Sequence, residues 1–135
     1  MITRRMVLLG SLLTSSIIGG FPAFAAPRRS RVMQLLDTDN DGTVDLDEAK
    51  RAASALFDRL DRDRDGTLDR RELRGRLNRA EFNMANPDTD GTLSKDEYLR
   101  LVERRFAAAN RDNDRTLDER ELRSRAGQAL LRLLR

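Results

Sequence analysis

Four near-copies of one twelve-residue segment constrain this chain more than anything else in it. D-T-D-N-D-G-T-V-D-L-D-E occupies 37–48, D-R-D-R-D-G-T-L-D-R-R-E 61–72, N-P-D-T-D-G-T-L-S-K-D-E 86–97 and N-R-D-N-D-R-T-L-D-E-R-E 110–121. Clustered carboxylates repel one another, so a chain that keeps them together needs a compensating cation. The copies start 24, 25 and 24 residues apart. Once a twelve-residue loop is subtracted, each interval leaves room for one helix rather than for two helices and a linker.

Each copy puts oxygen-bearing side chains at positions 1, 3, 5, 9 and 12, and three of the four have glycine at position 6. That is the EF-hand pattern, in which side chains at positions 1, 3, 5 and 12 and the position-7 carbonyl surround a hard cation, and position 9 acts directly or through water. Glycine suits position 6 because the chain turns there with positive φ. The expected ligands are Asp37, Asp39, Asp41, Thr43, Asp45 and Glu48 in loop one, and Asp61, Asp63, Asp65, Thr67, Asp69 and Glu72 in loop two. Loop three offers Asn86, Asp88, Asp90, Thr92, Ser94 and Glu97, and loop four Asn110, Asp112, Asp114, Thr116, Asp118 and Glu121. Sequence leaves open whether Asp45, Asp69 and Asp118 bind directly or hold a water. A helix-starting capping box would account for positions 9 and 12 without metal, but it leaves the acidic triplets at 1, 3 and 5 unexplained.

The loops are not equivalent. At positions 1, 3, 5, 9 and 12, loops one and two each carry five carboxylates, loop four carries four and loop three carries three. Arg115 replaces glycine in loop four, where a left-handed residue with a side chain costs roughly 1 kcal/mol, and it adds a positive charge. Loop four is expected to be the weakest site, with loop three intermediate.

Position 8 is apolar in every copy (Val44, Leu68, Leu93, Leu117), as a short strand joining two loops requires. The connectors A-K-R-A-A-S-A-L-F-D-R-L and Y-L-R-L-V-E-R-R-F-A-A-A contain no Gly or Pro, and each is expected to be one unbroken helix. Twelve residues span about 18 Å as a helix, so loops one and two cannot pair, nor can three and four. In the middle connector, Gly75 reads as a helix terminator, and Asn78 with Glu81 as a new capping box. The chain is expected to double back there. The predicted fold is all-α, a small helical bundle with loops two and three paired at one end and loops one and four at the other. Phe57, Phe82 and Phe106 each stand four residues before a loop and are expected to fill the interior, with Met33 in the equivalent place before loop one.

The first residues read as a secretory signal peptide: Arg4-Arg5, an apolar run from Met6 to Ile18, then Ala23-Phe24-Ala25. The expected organisation is a leader at 1–25, an N-terminal arm and entering helix at 26–36, and the metal-binding domain at 37–135. The apolar run is too short to favour a retained membrane span. Export to the periplasm follows, with the general secretory and twin-arginine routes both open. Arg4 and Arg5 are the only charged residues in 1–26; without them 24 basic groups face 23 acids, a net charge of +1. The basic isoelectric point is therefore no nucleic-acid footprint, and aromatic–basic interleaving that could stack bases is missing. With no Cys and no His in the chain, zinc–thiolate sites, disulfides, thiol nucleophiles and imidazole acid–base chemistry are excluded, and no enzyme is expected.

The connectors narrow the reading. D-G-T-L-D-R-R-E-L-R-G-R at 65–76, D-G-T-L-S-K-D-E-Y-L at 90–99, F-A-A-A-N at 106–110 and the closing A-G-Q-A-L-L-R-L-L-R resemble the lanmodulin family of periplasmic lanthanide-binding EF-hand proteins. The resemblance covers essentially the whole chain after the leader. It implies selective binding of trivalent lanthanides over Ca²⁺, and ordering of the chain as metal binds. The chain departs from the family in having proline at position 2 only in loop three (Pro87), serine at position 9 there, and Arg115. Charge supports a trivalent guest independently: five carboxylates leave −3 around a divalent ion but −2 around a trivalent one. The competing readings are an exported EF-hand calcium buffer or sensor, and a calcium-dependent interaction module with an unknown protein partner. Only Met33 and Met84 remain after the leader, too few for a methionine-rich target groove.

Overall fold

A computed structural model describes residues 29–135. The expected leader and residues 26–28 of the arm lie outside the described residues. Six helices and two two-stranded ladders follow one another: α1 (Arg31–Leu36), β1 (Val44–Asp45), α2 (Leu46–Leu60), β2 (Thr67–Asp69), α3 (Arg79–Ala85), β3 (Thr92–Ser94), α4 (Lys95–Ala109), β4 (Thr116–Leu117), α5 (Glu119–Arg123) and α6 (Arg125–Leu131).

Local chemistry sets the helix starts. Asp45, Asn78, Ser94 and Asp118 each accept the N–H of the residue three ahead, and the glutamate there bonds back to the cap's own N–H. Each such box satisfies two amides that a helix start otherwise leaves unpaired. Both apolar connectors form single fifteen-residue helices, α2 and α4. Loop two behaves differently. Asp69 and Glu72 exchange the same bonds, at 2.8 and 3.1 Å, yet only turns follow, where a helix ending at Gly75 was expected. Gly75 has φ +81°, and Arg76 N–H and Leu77 N–H both bond back to the Leu73 carbonyl. The left-handed residue comes too soon after the cap for a helix to propagate.

β2 pairs antiparallel with β3, Leu68 opposite Leu93, and β1 pairs antiparallel with β4, Val44 opposite Leu117. All four apolar residues are fully buried. Since β2 follows α2 and β3 precedes α4, while β1 precedes α2 and β4 follows α4, the two long helices lie against each other in opposite directions. Met33, Phe57, Phe82 and Phe106 are buried in one shared core, and Phe57 meets Tyr98 edge to face at 5.7 Å.

The C-terminal segment closes this core. Leu130, Leu131, Leu133 and Leu134 are buried. The Tyr98 hydroxyl donates to the Leu133 carbonyl at 2.8 Å. Arg105 donates to the Ala129 carbonyl at 2.6 Å and to Glu81 at 2.9 Å. Gly127 lets α6 cross the end of α5, because a Cβ there would stand 2.1 Å from the Glu121 carbonyl oxygen. Among the described residues, no helix is long and apolar enough to cross a membrane.

Candidate metal centres

Each loop wraps its backbone around its own acidic side chains. In loop one the Asp37 carboxylate accepts Asp41 N–H at 3.1 Å and Gly42 N–H at 3.0 Å. Asp61 does the same in loop two, with Asp65 N–H at 3.2 Å and Gly66 N–H at 3.0 Å. The position-3 aspartates Asp39, Asp63, Asp88 and Asp112 accept the N–H two residues on, and Asp41, Asp65, Asp90 and Asp114 accept both the N–H and the hydroxyl of the position-7 threonine. These are Asx turns stacked in series.

Two positions per loop are left-handed. Gly42, Gly66 and Gly91 at position 6 have φ of +94°, +85° and +92°, and Arg115 takes the same turn at +78°. Position 4 is left-handed as well, at Asn40, Arg64, Thr89 and Asn113. Sequence reasoning did not anticipate position 4. The asparagines gave a signal, being tolerant of this region, but Arg64 and Thr89 gave none.

Loops one and two gather carboxylates. One oxygen each from Asp37, Asp39 and Glu48 lies within 4.8 Å of the others, and so do oxygens from Asp61, Asp63 and Asp65. Asp41 and Glu72 stand outside these triads, and among the described residues the acids of loops three and four form none. The crowding shows in the titration of the exposed position-3 acids. The Asp41 N–H bond pulls the Asp39 pKa down, but desolvation and the charges of Asp41 and Glu48 outweigh it and leave the value raised. At Asp63 the Asp65 N–H is likewise outweighed by desolvation with Asp65 and Glu72. Asp41 and Asp114 go the other way, held down by the N–H and hydroxyl of Thr43 and Thr116.

Position 1 of loops three and four shows the opposite condition, an acceptor without a donor. The Oδ1 atoms of Asn86 and Asn110 are buried and have no hydrogen-bond partner. An unsatisfied buried acceptor costs about 1–3 kcal/mol, and native structures rarely keep one without a reason. A hard cation is a fitting partner for such a carbonyl oxygen.

Position 9 is engaged elsewhere. Asp45, Asp69, Ser94 and Asp118 accept the N–H of the position-12 glutamate at 2.7, 2.8, 3.3 and 2.7 Å. Position 12 has a second partner that sequence reasoning missed. Oε1 of Glu48, Glu72 and Glu121 accepts the position-2 N–H of Thr38, Arg62 and Arg111 at 2.6, 2.9 and 2.7 Å. Proline has no N–H, so Pro87 cannot make this bond, and among the described residues Glu97 bonds only to Ser94. Loop one has a further contact: Arg29, outside the loop, donates to Asp37 Oδ2 at 3.0 Å and to Asn40 Oδ1 and O at 3.2 and 3.0 Å.

The family model for the EF hand matches residues 30–51 and 54–77, which contain loops one and two. Lanmodulin from Methylorubrum extorquens is 50% identical over 75 residues, covering 54% of this chain and 56% of the relative. The match thus spans a little over half the length of that protein.

Proposed function

We propose, from the premise that this is a lanmodulin-like EF-hand protein, that it is an exported cation-binding protein. All four loops hold metal, trivalent lanthanides in preference to Ca²⁺, and the chain orders as they fill. The carrying observation is the pair of carboxylate triads in loops one and two. Three anionic oxygens within bonding reach of one point suit a large hard cation and little else in this histidine- and cysteine-free chain.

The ligand set assigned to each loop is the one its spacing gives: Asp37, Asp39, Asp41, the Thr43 carbonyl and Glu48 in loop one, and the matching positions in the others. The orphaned oxygens of Asn86 and Asn110 support extending the assignment to loops three and four. The strand pairing supports treating the loops as two coupled pairs, two with three and one with four. A cation in one loop then steadies its partner through the shared ladder.

The trivalent preference rests on charge. Loops one and two each bring five carboxylates around one cation, and the gain from a third positive charge grows with that number. The position-12 glutamates give the chain its response. In loops two and four the position-12 glutamate stands, among the described residues, outside any carboxylate triad with Oε1 on a backbone N–H, so bringing it to metal rearranges the segment that starts the following element. Binding energy becomes part of folding energy in this way. Export agrees with the leader-like first 25 residues.

The test is a terbium(III) titration of chelator-stripped protein in a large excess of Ca²⁺, followed by sensitised luminescence through Tyr98 and by far-ultraviolet circular dichroism. The reading expects saturable terbium luminescence that excess Ca²⁺ does not displace, with helical signal rising in step. Displacement of terbium by Ca²⁺ would make the chain an exported calcium buffer or sensor. Constant helical signal through saturation would remove the coupling to folding.

A further inference from the structure

We propose that Arg29 is an internal competitor for loop one, a tethered cation that holds the Asp37 carboxylate until metal displaces it. The inference rests on the metal-binding reading of that loop. Arg29 lies eight residues before Asp37, outside the twelve-residue loop, yet its guanidinium spans loop positions 1 and 4. It donates to Asp37 Oδ2 at 3.0 Å, to Asn40 Oδ1 at 3.2 Å and to the Asn40 carbonyl at 3.0 Å.

The side-chain exposures show which partner is held and which can leave. The Asp37 side chain is 0% exposed and that of Arg29 43%. The carboxylate is fixed from behind by Asp41 N–H and Gly42 N–H, while the guanidinium approaches from the solvent side. It bonds to a carboxylate of the triad Asp37, Asp39 and Glu48, so an incoming cation meets a positive charge already in contact with its first ligand. Coulomb repulsion grows with ionic charge, and a trivalent ion is opposed more than a divalent one at equal distance.

Loop two serves as an internal control. Asp61 accepts the same pair of backbone amides, at 3.2 and 3.0 Å, and among the described residues no arginine or lysine pairs with it. The two loops have the same five carboxylates at ligand positions, and although loop two carries Arg62, Arg64, Arg70 and Arg71, among the described residues none of these pairs with a loop carboxylate as Arg29 does with Asp37. Displacement also has a structural consequence. Arg29 precedes Ser30, the N-cap of α1, and its carbonyl accepts from Gln34 Nε2 at 3.0 Å. Occupancy of loop one therefore loosens the start of the arm while the remainder of the chain tightens. The arm becomes an inverse reporter of loop one.

Gly42 and Gly66 amides, which donate to Asp37 and Asp61, report the two loops separately by nuclear magnetic resonance. The experiment is a chelator-buffered lanthanum(III) titration of ¹⁵N-labelled protein, wild type against Arg29→Gln and Arg29→Lys. Arg29→Gln is expected to move the Gly42 midpoint to lower free lanthanum by about two- to fivefold, the scale of one part-exposed ion pair, and to leave Gly66 unchanged. Arg29→Lys keeps the charge and is expected to stay nearer wild type. In wild type the Arg29 side-chain resonance should change with Gly42 and not with Gly66. Equal Gly42 midpoints in wild type and Arg29→Gln would overturn the competitor while leaving loop one a metal site. A Gly42 resonance indifferent to lanthanum in every variant would overturn the metal-binding reading of the loop, and the competitor with it.

Discussion

Replacing Tyr98 with phenylalanine isolates the bond that fastens the C-terminal segment to the bundle. The Tyr98 hydroxyl donates to the Leu133 carbonyl at 2.8 Å, and both residues are fully buried. Phenylalanine keeps the ring and its edge-to-face contact with Phe57 at 5.7 Å, so no cavity of consequence forms. What changes is that a buried carbonyl loses its donor, a loss of about 1–3 kcal/mol. With a urea slope of about 1.5 kcal/mol per M, typical of a chain this small, the midpoint falls by about 0.7–2 M with the slope unchanged. A pH series checks the burial of the same hydroxyl. Burial raises the Tyr98 pKa from 10.0 to about 12, against the opposing fields of Arg76 and Arg105. The folded state thus holds this proton more tightly than the unfolded chain. The stabilisation is complete below pH 10 and is lost as pH rises towards 12, to the extent of about 2.7 kcal/mol for a two-unit shift. Tyr98→Phe has no such term, so the wild-type advantage should shrink between pH 10 and 12. Urea unfolding followed by circular dichroism measures both effects. Equal midpoints at pH 7, or parallel stability curves across pH 10–12, would refute the assignment.

Asn86→Leu removes the buried orphan oxygen of loop three. It should leave the metal-free chain as stable or up to about 2 kcal/mol more stable, yet abolish the metal response of the Gly91 amide, a sign reversal visible in paired melts and titrations. Gly127→Ala places a Cβ 2.1 Å from the Glu121 carbonyl oxygen and 2.6 Å from Leu122 Cα. Backbone lies on every close side, so thermal unfolding should show a loss of about 3 kcal/mol or more, and loop four, which ends at Glu121, should lose its site. Arg115→Gly relieves a left-handed arginine at φ +78°, worth roughly 1 kcal/mol. It should strengthen metal binding at loop four by about fivefold or more in a luminescence titration.

Much of this organisation was legible because it is local. Caps at Asp45, Asn78, Ser94 and Asp118 depend on spacing within one turn, and the helices after them depend on runs without Gly or Pro. The buried position-8 residues Val44, Leu68, Leu93 and Leu117 and the phenylalanines ahead of the loops were visible as periodic apolar residues. The turn at Gly75 was visible, but not that it arrives too early for a helix to form after loop two. What stayed hidden involves partners distant in sequence or backbone groups without a residue signature. Arg29 read only as part of the N-terminal arm because nothing in the sequence says that its guanidinium reaches Asn40. The bond from position 2 N–H to the position-12 glutamate belongs to the main chain, so only its absence at Pro87 leaves a mark. Gly127 carried no sequence signal, since the close approach of α5 and α6 is a tertiary fact.

Calorimetric titration of the chelator-stripped chain with europium(III), repeated with Ca²⁺, tests most directly whether the acidic loops are cation sites. The account predicts saturating heat with europium at two or more ions per chain, loops one and two included, and a weaker isotherm with Ca²⁺. An absence of binding heat with both ions, in intact protein shown to be metal-free, would contradict it.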